Sequence, residues 1–263
     1  MIMSSFSISL VLVGFLALSA CASHKKEHAH SGPESMNTSA GIQYQFAFEF
    51  FQKGDLVRAL DSAFKGIEAS PNSADLRNLL GLIYFRQKEY PNAEAAFRKA
   101  NQLDSRLPEV YNNWGAMLYE QGKYIEARDI LLKGREFPLY LNPERVHNNL
   151  GLVYEALKDR VKAEESYRAA ITAKPDYFLP YQNLGRLFLQ EGELGQARSN
   201  LMEATRLCVD CSEARYHLGT VFLRENRNKE AIQQFKVGAD KDPKGYFGEL
   251  CRQFLVGENA KAR

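Results

Sequence analysis

The chain is poor in the features that mark a catalyst or a nucleic-acid binder. Its 34 Lys and Arg stand against 32 Asp and Glu, a formal net charge of +2, and the two signs are mixed along the chain rather than gathered on one face. Nucleic-acid binding would need a basic stripe, so no nucleic-acid partner is expected. No nucleophile elbow, phosphate loop, zinc-binding helix motif or paired-carboxylate arrangement stands out from solvated helix faces. The chain is therefore not expected to be an enzyme, and no cofactor, metal or small-molecule substrate is expected. The apolar run from Ile8 to Ala17 is too short for a comfortable membrane span.

What the chain does have is a beat. A small residue returns at Ala47, Gly81, Gly115, Gly151, Gly185 and Gly219, at intervals of 34, 34, 36, 34 and 34 residues. Three residues later stands a large apolar side chain, at Phe50, Tyr84, Leu118, Tyr154, Phe188 and Phe222. Alanine follows twelve residues after the beat in every repeat, from Ala59 to Ala231, and a second small residue closes each unit, from Gly66 to Gly238. Small residues at crossing points let paired helices approach closely. Proline marks helix ends at Pro71, Pro175 and Pro243. A 34-residue period is that of the tetratricopeptide repeat, a helix-turn-helix unit. The expected fold is all-α, a right-handed superhelical solenoid of six such repeats with a C-terminal capping helix. The repeats fall at 42–73, 74–107, 108–143 (with a two-residue insertion), 144–177, 178–211 and 212–245, and the capping helix and tail at 246–263.

Residues 1–20 carry no charge and have the apolar centre of a signal peptide. They end in Leu18-Ser19-Ala20-Cys21, which resembles the lipobox of bacterial lipoproteins. The resemblance implies cleavage before Cys21 and a covalent lipid on it. Alanine at position 22 implies, by the same resemblance, transfer to the outer membrane, with the repeats in the periplasm. From Cys21 to about Gly41 the chain is polar and without apolar periodicity, and is expected to be a tether with a reach of roughly 25 Å. His24, His28 and His30 cluster there without a fixed geometry, and no metal site is expected.

Cys208 and Cys211 stand where repeat 5 ends, at the place where other repeats carry the helix-stopping proline. In an oxidising envelope compartment they are disulfide candidates that would brace the turn. The same spacing serves redox-active dithiols, but those place the first sulfur at a helix N-terminus, whereas Cys208 follows a helix. Cys251 is expected to be buried against repeat 6 among Leu250, Phe254 and Leu255; its pairing with Cys211 stays open from sequence.

The first helices of the repeats should line the concave face. Two and three positions before the glycines stand Asn78, Asn112, Asn113, Asn148, Asn149, Gln182 and Asn183. Carboxamides both give and accept hydrogen bonds, so a row of them suits the backbone of an extended peptide; equally, they can support the repeats themselves. Leu82, Phe85, Ala116, Tyr119 and Leu152 interleave apolar positions, which favours an amphipathic segment over a charged tail. Arg186 and Arg224 are candidates for local charge contacts only.

The junction Phe137-Pro138-Leu139-Tyr140-Leu141-Asn142-Pro143-Glu144-Arg145-Val146, followed by Asn148-Asn149-Leu150-Gly151-Leu152 and preceded by Asn112-Asn113-Trp114-Gly115, carries a closer likeness. With the lipobox and six repeats, it resembles the type IV pilus pilotin lipoproteins, the PilF/PilW/Tgl group. The resemblance implies a lipoprotein that binds secretin subunits and promotes their localisation and multimerisation. The candidate contact residues are Asn78, Leu82, Phe85, Asn112, Asn113, Tyr119, Asn148, Asn149, Leu152 and Asn183. Scaffolds for peptidoglycan hydrolases and factors for outer-membrane protein assembly share the anchor and the repeats; an envelope thiol oxidoreductase is the enzymatic alternative.

Overall fold

The computed structural model describes residues 38–137 and 140–261. Cys21, the signal segment, the tether histidines and Pro138 and Leu139 of the junction lie outside the described residues. Among the described residues there are thirteen helices and no strand. They are α1 (Ser39–Gln52), α2 (Leu56–Ala69), α3 (Ala74–Arg86), α4 (Tyr90–Leu103), α5 (Pro108–Glu120), α6 (Tyr124–Arg135) and α7 (Pro143–Ala156). They continue as α8 (Arg160–Ala173), α9 (Phe178–Glu191), α10 (Leu194–Leu207), α11 (Ser212–Arg224), α12 (Asn228–Lys241) and α13 (Tyr246–Lys261). The helices form two units, one ending at Lys123 and the other beginning at Tyr124. The first helix starts at Ser39, within the span expected for the tether, because the Thr38 hydroxyl accepts the Gly41 amide at 3.1 Å and so caps it.

Four of the beat glycines hold a helix pair together by the side chain they lack. A Cβ placed on Gly81 would lie 2.5 Å from the Phe97 ring, and one on Gly151 would lie 2.3 Å from the Tyr167 ring. Gly185 meets Leu201 and Gly219 meets Phe235 in the same way. The side chain that rests on the glycine therefore comes from the second helix, sixteen residues on, rather than from the large residue one turn later. The turn between paired helices demands a left-handed residue seven positions after the beat. Gly54, Gly122 and Gly192 supply it at φ 77°, 75° and 79°, while Lys88, Lys158 and Asn226 adopt it at 60–64° against the usual steric cost.

Successive pairs stack through the second small residue. In the first unit a Cβ on Gly66 of α2 would come within 2.8 Å of Leu76 on α3. In the second unit a Cβ on Gly238 of α12 would come equally close, 2.8 Å, to the Cys251 sulfur on α13. The last helix thus seats on its neighbour as the first helix of a further repeat would. Cys251 is free and fully buried, and burial pushes its thiol up to about 11. Phe254 lies 4.3 Å from Phe235, centroid to centroid, and Phe247 packs 5.7 Å from Tyr216. Cys208 and Cys211 form a disulfide with Cα atoms 5.5 Å apart. It joins the residue that ends α10 to the one that begins α11.

Candidate functional site

The first helices of the pairs lie side by side within each unit, α1, α3 and α5 in one, α7, α9 and α11 in the other. In the first unit the Asn113 Nδ2 donates to Asn78 Oδ1 at 3.1 Å, and Asn112 Nδ2 approaches Asn113 Oδ1 at 3.4 Å. Beside this row Leu82 and Tyr119 are half-buried and Phe85 is buried. Phe48, which remains exposed, stacks on Tyr44 with ring planes 5° apart. Burial, reinforced by the carboxylates of Asp75 and Glu109, pushes the Tyr44 hydroxyl up to about 12. The first unit therefore offers apolar side chains beside two carboxylates.

The second unit repeats the carboxamide bond one step on: Asn183 Nδ2 donates to Asn148 Oδ1 at 3.0 Å, and both side chains are buried, as is Asn149. The recurrence at the same offset of 35 residues follows from the pattern in sequence, since position two before one glycine meets position three before the previous one. Part of the row's hydrogen-bonding capacity is thus spent between repeats. Leu152 is half-buried on the same helix as Asn148 and Asn149.

Beside this row lies a feature that sequence inspection valued too low. Arg186 on α9 makes two parallel hydrogen bonds to Glu155 on α7, Nη1 to Oε1 at 3.0 Å and Nη2 to Oε2 at 2.8 Å. The Tyr167 hydroxyl donates to the same carboxylate. Burial by itself would weaken the guanidinium's hold on its proton, but Glu155, with smaller help from Tyr167 and Glu213, holds it above the ordinary range. Arg224 Nη1 donates to the Leu189 carbonyl at 2.8 Å, tying α11 to the last turn of α9. Neither contact is local in sequence: Arg224 reaches a carbonyl 35 residues back, and Arg186 belongs to a part-buried bidentate pair whose side chains are 19% and 12% exposed. The signal available was position: Arg186 follows its glycine by one residue and Glu155 follows the preceding glycine by four, a separation of 31 that places both on the inner faces of neighbouring helices. The arrangement holds a surface in shape. Among the described residues no group of three or more His, Cys, Asp or Glu could hold a metal ion, and no helix is long and apolar enough to cross a membrane.

Helix pairs on a 34-residue beat, a glycine under a ring and a carboxamide row define a class of repeat protein. Models of the tetratricopeptide repeat match residues 81–122, 109–136, 144–177 and 183–246, and the chain belongs to the tetratricopeptide repeat family. Within it, the type IV pilus assembly protein PilF of Pseudomonas aeruginosa is 29% identical over 163 residues, 62% of this chain. The match spans 65% of that protein's length. The structure of Pseudomonas aeruginosa PilF superposes with a TM-score of 0.72 at 24% identity, over 84% of this chain and 97% of that one. The crystal structure of PilW, a widely conserved type IV pilus biogenesis factor, gives a TM-score of 0.72 at 19% identity, over 83% and 99%. These structural likenesses establish the fold.

Proposed function

We propose that this protein is a pilotin, an outer-membrane lipoprotein that binds secretin subunits and promotes their localisation and multimerisation for type IV pilus biogenesis. The observation that carries this reading is the 163-residue similarity to PilF, joined to the lipobox ending in Cys21. In this reading the lipid on Cys21 gives the membrane address and the residues before Thr38 give reach. The inner helix faces hold secretin, against Leu82, Phe85 and Tyr119 in the first unit and against Leu152 in the second, each unit taken by itself. The carboxamides of Asn78, Asn112, Asn113, Asn148, Asn149 and Asn183 are the polar contacts of those faces. Confinement to one surface raises the effective concentration of subunits without any new contact.

The test is deletion of the gene followed by electrophoresis of unheated outer-membrane fractions, probed for the heat-stable secretin multimer. Loss of multimer with monomer retained, restored by the wild-type gene and not by Cys21→Ala, is the expected result. A normal multimer level would overturn the reading and leave a scaffold for cell-wall enzymes as the alternative.

A further inference from the structure

The first helix pair carries side chains suited to an interior, yet nothing among the described residues covers them. Ile42 and Phe46 stand five and one positions before the beat residue Ala47. At the same places in the next two repeats, Leu76 and Val110 are 0% exposed and Leu80 and Trp114 are 4% and 6% exposed. In the second unit Val146 and Leu150 are 1% and 0% exposed. These positions are where each repeat stacks on the one before it, as Leu76 on Gly66 and Trp114 under the Arg98 guanidinium at 4.9 Å demonstrate. Ile42 and Phe46 are 41% and 45% exposed. Repeat arrays ordinarily end in a polar outer face, because an uncovered stacking surface is insoluble. Here the stacking residues are retained.

We propose that this end face, formed by Ile42 and Phe46 of α1, is a docking site for one amphipathic helix of another polypeptide, which stacks as the second helix of a preceding repeat would. The site is separate from the inner helix faces invoked for secretin. The chemistry of the occupant follows from the chain's own stacking helices. It carries a Gly or Ala against Ile42, as Gly66 lies against Leu76. Two residues earlier it carries a long side chain, Arg or aliphatic, against Phe46, as Arg98 precedes Ala100 and covers Trp114. Three acidic groups of this helix pair are tied to bases near them in the chain, Glu49 to Lys53 at 2.5 Å, Asp55 to Arg58 at 2.5 Å and Asp61 to Lys65 at 2.7 Å. The face therefore asks for an apolar, not a charged, complement.

Other occupants fit less well. Residues 22–37 show no apolar periodicity in sequence. A symmetric pair of these faces would set only Ile42 and Phe46 of each copy together, where a stable dimer uses roughly 20–30 residues a side. A bilayer lying against this pair would have to desolvate Asp61 and Glu68, which alternate with Val57 and Phe64 along the exposed side of α2.

The experiment measures binding of a stapled helical peptide copying residues 90–103, the chain's own stacking helix, to the full mature chain in detergent. Wild type should bind at least roughly tenfold more tightly than Ile42→Glu/Phe46→Lys. The same loss should follow when Leu replaces Ala100 in the peptide, and Asn149→Ala should bind like wild type. The double variant should melt within about 3 °C of wild type, since no repeat stacks on the face. Equal peptide affinity overturns the proposal. So does a wild-type dimer that the double variant abolishes in light scattering. Co-sedimentation of the Cys21→Ser chain with phosphatidylethanolamine–phosphatidylglycerol vesicles that depends on Ile42 and Phe46 also overturns it. The peptide assay contains no secretin, so its failure and the failure of the pilotin reading are separately visible.

Discussion

The two units use the same repeat and close it differently. In the first, residues up to Lys123, the inner helix faces are tied by the carboxamide bond of Asn113 to Asn78. Phe48, Phe46 and Ile42 are left exposed. In the second, from Tyr124 on, the same bond recurs between Asn183 and Asn148 and is joined by Glu155, Arg186 and Tyr167 and by Arg224 on the Leu189 carbonyl. Its last pair is then covered by α13 through Cys251, Phe247 and Phe254. One unit leaves the stacking positions of its first helix exposed; the other has its last pair seated under α13. An array needs only neighbour contacts for stability, so a stacking face without a neighbour among the described residues is where a partner would add one.

This contrast can be broken from either side. Deleting residues 246–263 should have the largest effect, because it uncovers Phe235 and the Gly238 seat. The loss should be at least the roughly 3–5 kcal/mol of truncating one buried ring, seen as fast hydrogen exchange in α12 while α1 and α2 stay unchanged. Glu155→Ala should cost about 2 kcal/mol by leaving the part-buried Arg186 unpaired, whereas the double change Glu155→Leu/Arg186→Leu should recover much of it; chemical denaturation distinguishes the two. Reducing the Cys208–Cys211 disulfide should cost about 2 kcal/mol through the unfolded chain and should leave exchange in α1–α4 unaltered. Asn113→Ala and Asn183→Ala should each cost about 1 kcal/mol, one in each unit, and equal losses would show that the carboxamide bond is worth the same in both.

A last effect, confined to alkaline solution, concerns pH. The Cys251 thiol holds its proton to about 11 when folded, against an ordinary value of 9.0. Between those values the folded chain keeps a proton that the unfolded chain has lost, so stability should fall as pH rises from 9.0 toward 11. Cys251→Ala should remove that slope, and a slope unchanged by the substitution would place its origin in another group.

The fold was legible because its signals were redundant. The glycine beat, the alanine twelve residues on and the closing small residue each demanded the same helix pair, and close packing leaves few residue types at such crossings. The carboxamide row was equally plain, but its chemistry was not: an asparagine looks the same in sequence whether it faces a ligand or its neighbour. The Asn113–Asn78 and Asn183–Asn148 bonds appear only when adjacent helices are placed side by side. Arg186 read as a local charge because its partner lies 31 residues away. Ile42 and Phe46 carry no sign in sequence that sets them apart from their counterparts in later repeats, since periodicity marks a stacking residue without revealing whether anything stacks on it.

By itself, then, the sequence determined the repeat: its period, its helix pairs with small residues at their crossings, and an all-α fold. Those follow from local sterics and from spacing. Only the tertiary structure decided which carboxamides spend their hydrogen bonds on each other, that Glu155 and Arg186 meet in a part-buried pair, and that α13 covers α12 while Ile42 and Phe46 stay exposed among the described residues. Burial and charge pairing are properties of neighbours in space, and a 34-residue period says where a neighbour would sit without saying that one is there.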